Sequence, residues 1–182
     1  MTSTSTQDLV VEQRLRAAIR AVPDFPKPGI LFRDITPLLA DHELLARAMR
    51  DMTVPFDGAG VTHVAAIESR GFVFGAPIAL ALSAGLVLIR KPGKLPWRTT
   101  RVDYALEYGS DSLEMHADGL PPAARVLVVD DVLATGGTAA ATCRLVEQGG
   151  GTVVACTFLL ELDALRGRER LEGRRTTSLL HF

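Results

Sequence analysis

The sequence predicts an α/β fold: a central, mainly parallel sheet flanked by helices. Three observations carry this. Residues 61–67, 126–129 and 152–160 are largely apolar runs of strand length, rich in β-branched residues, the kind buried on both faces of a parallel sheet. Segments of helical character, 72–83 and 139–148, alternate with them, which is the pattern of right-handed strand–helix–strand crossovers. The run 126–129 also leads through two carboxylates and a small-residue loop straight into a helix, so strand, loop and helix start form one unit.

The bulk properties narrow the class. A chain of 182 residues is large enough for a real core and is expected to form a single domain over 1–182, with 1–10 as a flexible tail. Hydrophobic content of 47% and charged content of 23% are ordinary for a globular protein. A net charge of −1 argues against a general polyanion binder, so no nucleic-acid partner is expected and any basic patch must be local. No apolar run reaches the roughly 18 residues of a membrane span, so no membrane partner is expected. The start, M-T-S-T-S-T-Q-D, lacks the basic-then-apolar order of a signal peptide. Cys143 and Cys156 fall in a helix and a strand rather than in a metal-binding spacing, and read as buried thiols of a cytoplasmic protein.

Taken in order, residues 8–21 read as a helix with Leu15, Ala18, Ile19 and Val22 on one face, stopped by Pro23. V-P-D-F-P-K-P-G, 22–29, is too proline-rich for regular structure and reads as a stiff, extended segment leading to an apolar loop at 30–35. Asp41 can cap a helix running to Met52, with Leu45, Ala48, Met49 and Met52 inward. The strand 61–67 ends in Glu68-Ser69-Arg70-Gly71, an anion-binding geometry at a helix start, though an arginine there is also commonly just solvated. A short strand, 86–89, runs into Arg90, Lys91, Lys94, Arg98 and Arg101, where Pro92, Gly93 and Pro96 exclude helix or central strand. This basic loop is either an anion clamp or a mobile surface loop. Residues 103–108 and 112–116 alternate around Gly109-Ser110-Asp111 and read as a hairpin carrying Glu107. After the helix 139–148 come Gly149-Gly150-Gly151, the strand 152–160, a short basic helix at 164–171 and a final strand at 178–180.

The most chemically pointed stretch is R-V-L-V-V-D-D-V-L-A-T-G-G-T, 125–138. Glycine lets backbone approach a ligand closely, and successive N–H groups together with the helix dipole face an anion. Thr135 and Thr138 add hydroxyl donors, and Asp130 and Asp131 suit neutral hydroxyl groups. A ribose 5-phosphate satisfies both halves. No lysine follows the glycines and no G-x-G-x-x-G occurs, so neither the P-loop nor the dinucleotide fingerprint is present.

This stretch resembles the phosphoribosyl-diphosphate motif of the type I phosphoribosyltransferases. Further stretches, F-P-K-P-G-I-L-F-R-D-I-T-P-L, E-S-R-G-F-V-F-G, L-I-R-K-P-G-K-L-P, Y-A-L-E-Y-G and L-E-L-D-A-L-R-G-R-E, occur in family order and resemble the adenine phosphoribosyltransferase branch. Trp97 and the 174–177 stretch depart from the pattern. The resemblance implies a type I phosphoribosyltransferase fold with a small N-terminal hood and a flexible hairpin loop. It implies adenine and phosphoribosyl diphosphate as substrates, AMP and pyrophosphate as products, Mg2+ held through substrate and water rather than by protein ligands, and a homodimer. By the same resemblance, Asp130 and Asp131 hold ribose hydroxyls, and Ala134, Thr135, Gly136, Gly137 and Thr138 hold the 5-phosphate. Arg70, Arg90, Lys91 and Lys94 face the diphosphate, and Tyr108 belongs to the same substrate's site. Phe32 and Leu162 look like the faces of an adenine slot, with Arg33 backbone at its edge. Glu107, with Arg70, is the expected catalytic pair, Glu107 as acid or base; its alternative role is a hairpin carboxylate paired with the basic loop. Two other readings stay open: a phosphoribosyltransferase for another base, and a non-catalytic phosphoribosyl-diphosphate-binding regulator of the same fold. The regulator needs a nucleic-acid element, for which the residues before F-P-K-P-G are too few.

Overall fold

The computed structural model describes residues 6–106 and 109–182, with side chains for 10–104 and 111–182. The chain divides into two compact units, Met1–Arg50 and Asp51–Phe182.

In the first unit α1 (Thr6–Ala17) is followed by β1 (Arg20–Val22), β2 (Phe32–Asp34), α2 (Thr36–Ala40) and the start of α3 (His42–Thr53). The expected helix 8–21 therefore ends early, and Val22 sits on a strand rather than on a helix face. The proline-rich stretch is a compact connection rather than an extended one. Asp24 and Gly29 take positive φ, and Gly29 N–H donates to Asp24 Oδ1 at 2.7 Å. The chain thus returns and β1 pairs antiparallel with β2, Ala21 opposite Arg33. A strand stands where a loop was expected, because that pairing satisfies the backbone of 32–34. The cap on α3 is as expected: Asp41 Oδ1 accepts from the N–H groups of Glu43 (2.9 Å) and Leu44 (3.1 Å). Leu44, Ala48 and Met52 are the buried apolar positions, while Leu45 and Met49 are half-buried.

The second unit holds a five-stranded sheet in the order β4-β3-β7-β8-β9, all neighbours parallel. Its strands are β3 (His63–Ile67), β4 (Gly85–Ile89), β7 (Arg125–Leu133), β8 (Thr152–Glu161) and β9 (Thr176–His181). Between β4 and β7 the chain makes a separate antiparallel hairpin, β5 (Thr99–Leu106) with β6 (Gly109–His116). Leu106 pairs with Gly109, so Gly109, Ser110 and Asp111 lie on the second arm and not in the turn as the sequence suggested. Arg101 likewise belongs to β5 and not to an irregular loop.

Helix α4 (Gly71–Ala81) covers one face of the sheet. A Cβ added at Gly75 would run into Ala66 of β3, so helix and strand approach closely there. The other face packs α5 (Gly137–Gln148) and the hairpin into one core with Ala65, Ile67, Val87, Ile89, Val126 and Val128. Cys143 and Cys156 meet inside that core as free, buried thiols, Sγ to Sγ 3.6 Å. The expected helix at 164–171 is instead two 3-10 turns, Asp163–Leu165 and Gly167–Leu171, broken at Arg166 in the left-handed region.

Candidate active site

The site begins with a strand longer than its sequence suggested. β7 runs on to Leu133, so Asp130 and Asp131 lie within it. The next residues turn into α5, whose N-cap Gly136 has φ 77°, a conformation a side chain would strain. Asp130, Val132, Leu133 and residues 134–139 line an open pocket. That pocket is the cradle expected from Ala134, Thr135, Gly136, Gly137 and Thr138: small residues, a helix start and two hydroxyls around an open concavity.

A second backbone segment holds the cradle in place. Gly167 packs so closely that a Cβ on Gly136 would run into Gly167 O, and a Cβ on Gly167 would lie 2.9 Å from Gly136 N and overlap Ala134 O. Neither contact leaves room for a methyl group. Nothing in the sequence marks Gly167 for this role beyond its place in L-R-G-R-E.

The acid pair is electrically strained. Asp130 Oδ1 accepts from Asp131 N–H at 2.9 Å. Burial, and then the neighbouring Asp131 charge, push the Asp130 carboxyl well above the usual carboxylate range. Burial also raises Asp131, against the opposing pull of Arg70. Arg70 is the N-cap residue of α4, and its Nε stands 2.7 Å from Asp131 Oδ2. The guanidinium approaches off its N–H axis, so the contact is an ion pair rather than a directed hydrogen bond. Gly71 permits this meeting of α4 and β7, since a Cβ there would lie 2.9 Å from both Asp130 Oδ1 and Val129 O.

Arg90 and Lys91, the first two basic residues after β4, are also paired with acids. Arg90 Nε donates to Glu68 Oε2 at 3.1 Å, and Lys91 N–H donates to the same oxygen at 2.9 Å. These contacts hold Glu68 below the usual range although burial alone would raise it. Lys94 is exposed and its carbonyl accepts from Arg90 at 3.3 Å. The Lys91 ammonium bonds the Asp111 carboxylate. Tyr104 hydroxyl donates to Asp111 Oδ2 at 3.1 Å and lies 3.4 Å from Thr138 Oγ1 in the cradle. Glu68, Tyr104 and Asp111 carry no signal of their own in the sequence, because strand register alone brings them here.

Of the other predicted residues, Leu162 is half-buried just past β8, and its N–H donates to Leu133 O at 2.9 Å. Phe32 and Arg33 belong to β2 of the first unit, where Phe32 meets Phe25 edge-on at 5.1 Å between ring centroids. Glu107 and Tyr108 lie outside the described residues. Among the described residues, one group converges well enough to suggest a metal: Glu161, Asp163 and His181. Its chemistry argues otherwise. Both Glu161 oxygens are taken by Arg168, at 3.1 and 2.5 Å, and Ser178 donates to one of them at 2.7 Å, so a cation would have to displace a guanidinium.

A parallel sheet with an acid pair leading into an anion cradle defines the phosphoribosyltransferase class. The phosphoribosyl transferase domain family matches residues 39–177. The adenine phosphoribosyltransferase of Methylococcus capsulatus is 59% identical over 93% of this chain and 99% of its own length. That of Myxococcus xanthus is 57% identical over 98% of this chain and 97% of its own. Among solved structures, the adenine phosphoribosyltransferase of Rhodothermus marinus superposes with a TM-score of 0.92, at 51% identity over 96% of this chain and 99% of that one. The Saccharomyces cerevisiae enzyme, crystallised with adenine and an imino-altritol bisphosphate, gives a TM-score of 0.89 at 38% identity, covering 94% of this chain and 99% of that one. The chain belongs to the adenine phosphoribosyltransferases, with the type I phosphoribosyltransferase fold.

Proposed function

We propose that this chain transfers the 5-phosphoribosyl group of phosphoribosyl diphosphate to adenine, giving AMP and pyrophosphate in purine salvage. The observation that carries the reading is the continuity of Asp130 and Asp131 with the cradle 134–138 at the start of α5. Carboxylates accept hydrogen bonds from ribose hydroxyls, and a glycine-rich helix start accepts a phosphate. Breaking the C1–diphosphate bond develops positive charge on the ribose and negative charge on the leaving group. Arg70, Arg90, Lys91 and Lys94 are assigned to stabilise the leaving diphosphate, with Tyr108 in the same site. Phe32, Arg33 and Leu162 are assigned to adenine, and Glu107 to proton transfer at the reacting base. The whole chain is taken to work as one domain.

Mg2+ fits this site as an ion carried on the substrate's phosphate oxygens with water, since hard carboxylate donors are present and Mg2+ seldom takes an all-protein cage. When bound, it would neutralise charge on the leaving diphosphate. A homodimer is supported by an apolar face of the second unit. Leu86 and Leu88 of edge strand β4 pair with Val64 and Ala66, which places them on the α4 side of the sheet. They are exposed there, as are Val73 and Leu80, one heptad apart on α4. Free Cys143 and Cys156 suit a cytoplasmic setting.

The test is an assay with phosphoribosyl diphosphate, magnesium and adenine, hypoxanthine, guanine or uracil in turn. Adenine offers a donor at N6 and an acceptor at N1, whereas hypoxanthine reverses both. A backbone edge cannot change sign to follow, so two mismatches predict a preference on the order of 10²–10⁴ in kcat/KM. Comparable rates on hypoxanthine would overturn the choice of base, and no turnover with any base would leave a binding protein.

A further inference from the structure

Three cations assigned to the diphosphate are each already engaged by a carboxylate of the same unit: Arg70 by Asp131, Arg90 by Glu68 and Lys91 by Asp111. The first two carboxylates have evident duties. Asp131 belongs to the acid pair, and Glu68 also receives Lys91 N–H, so it orders the backbone after β4. Asp111 has no such duty. It sits on β6, opposite Tyr104, and its oxygens are met by Lys91, Tyr104 and its neighbour Ser112 N–H.

The hydrogen-bond polarity defines a chain of contacts. The single Tyr104 proton goes to Asp111, so Tyr104 oxygen can only accept from Lys91 at 3.4 Å and from Thr138 at 3.4 Å. Tyr104 is itself buried and its ring lies against Gly137, within 3.4 Å of where a Cβ would be. The Asp111 carboxylate is therefore held beside the cradle, on a rigid support, with the Lys91 ammonium attached to it. Burial would raise its pKa, but the bonds from Lys91 and Ser112 outweigh that and hold it low, so it stays an anion at neutral pH.

We propose that Asp111 is a positioning residue that competes with diphosphate for Lys91. It fixes the ammonium near the cradle before substrate arrives, and its own negative charge then opposes the incoming polyanion. Bound diphosphate takes the lysine, and Asp111 reclaims it when pyrophosphate leaves. Asp111 thus trades affinity for release. Tyr104 holds the competing carboxylate in place and ties it to Thr138.

This inference rests on the proposed role of Lys91 toward diphosphate, and the experiment separates the two. Pyrophosphate with magnesium, and separately AMP, would be titrated calorimetrically into the parent, Asp111→Asn, Lys91→Gln and the double variant at fixed ionic strength. Asp111→Asn should bind pyrophosphate about 3–10-fold more tightly, while AMP, whose phosphate gains only from the lost repulsion, tightens by less. Lys91→Gln should bind pyrophosphate more weakly, and on that background Asp111→Asn should tighten binding by clearly less. A purely structural Asp111 would weaken both ligands or neither. Unchanged or weaker pyrophosphate binding by Asp111→Asn, with Lys91→Gln still impaired, overturns the competition. Pyrophosphate binding untouched by Lys91→Gln overturns the role of Lys91 and the inference with it. Asp111→Ser serves as the second variant, with the same expected tightening, if Asn proves poorly folded.

Discussion

At Asp130 the proposed function and stability pull in opposite directions. Its carboxyl pKa is raised in the fold, first by burial and then by the Asp131 charge. A carboxyl whose folded pKa exceeds its unfolded one weakens the fold progressively as pH rises from the unfolded value, until the folded pKa is passed. Below the unfolded value the penalty vanishes. Asp130→Asn keeps the oxygen that accepts from Asp131 N–H and removes the charge. The empty protein should therefore melt about 2–4 °C higher at neutral pH, with the gain disappearing near pH 3, as calorimetric scans at several pH values would record. Affinity for phosphoribosyl diphosphate should fall about 10–100-fold through lost charge-assisted hydrogen bonds. A variant neither more stable nor weaker in binding would refute both assignments. Glu107→Gln, judged from chemistry alone, should lower kcat about 10²–10⁴-fold, and full activity would return Glu107 to a structural role. The acid pair was legible because its members are adjacent and end an apolar run. Asp111 was not, since only the pairing of β5 with β6 sets it opposite Tyr104, and no spacing encodes that.

At the level of elements, the cradle depends on two glycines 31 positions apart. Gly136 turns the chain into α5, and Gly167, in a 3-10 turn, fills the space behind it. Gly167→Ala has no positive φ to contend with, so its effect comes from overlap with Ala134 O and Gly136 N alone. It should destabilise by about 1–3 kcal/mol in urea unfolding and weaken ribose 5-phosphate binding as the loop is pushed outward. Gly136→Ala adds left-handed strain to the overlap and should be the worse of the two. Normal phosphate binding by Gly167→Ala would mean the loop does not need that support. Element types along the sheet were legible because buried parallel strands are continuous apolar runs. Their ends were less so. β7 continues through two aspartates because Asp130 pairs with Phe158 and Val132 with Leu160, a ladder that β8 supplies and local polarity conceals. β1 and β2 escaped for a similar reason: each is three residues long and exists only as the other's partner.

For the molecule as a whole, the apolar face of α4 and β4 is the feature most exposed to test. Leu80 is 82% exposed, so replacing it removes almost nothing from the fold of the unit that carries it. On the homodimer proposed above, Leu80→Glu should leave the melting of a dilute monomer nearly unchanged and shift sedimentation from dimer toward monomer. A dimer that survives that charge would move the interface elsewhere. The pairing of Arg70, Arg90 and Lys91 with acids bears on how substrate arrives. A cluster of bare cations would project a field into solvent and draw a polyanion in from beyond the Debye length, with an on-rate that collapses as salt is added. Here each of those three charges ends on a carboxylate a few ångströms away, so of the four cations assigned to the diphosphate only exposed Lys94 projects far into solvent. Substrate capture should therefore be only weakly steered. Stopped-flow association of phosphoribosyl diphosphate should slow by less than about threefold between 20 and 200 mM salt, where a steered encounter would lose an order of magnitude or more.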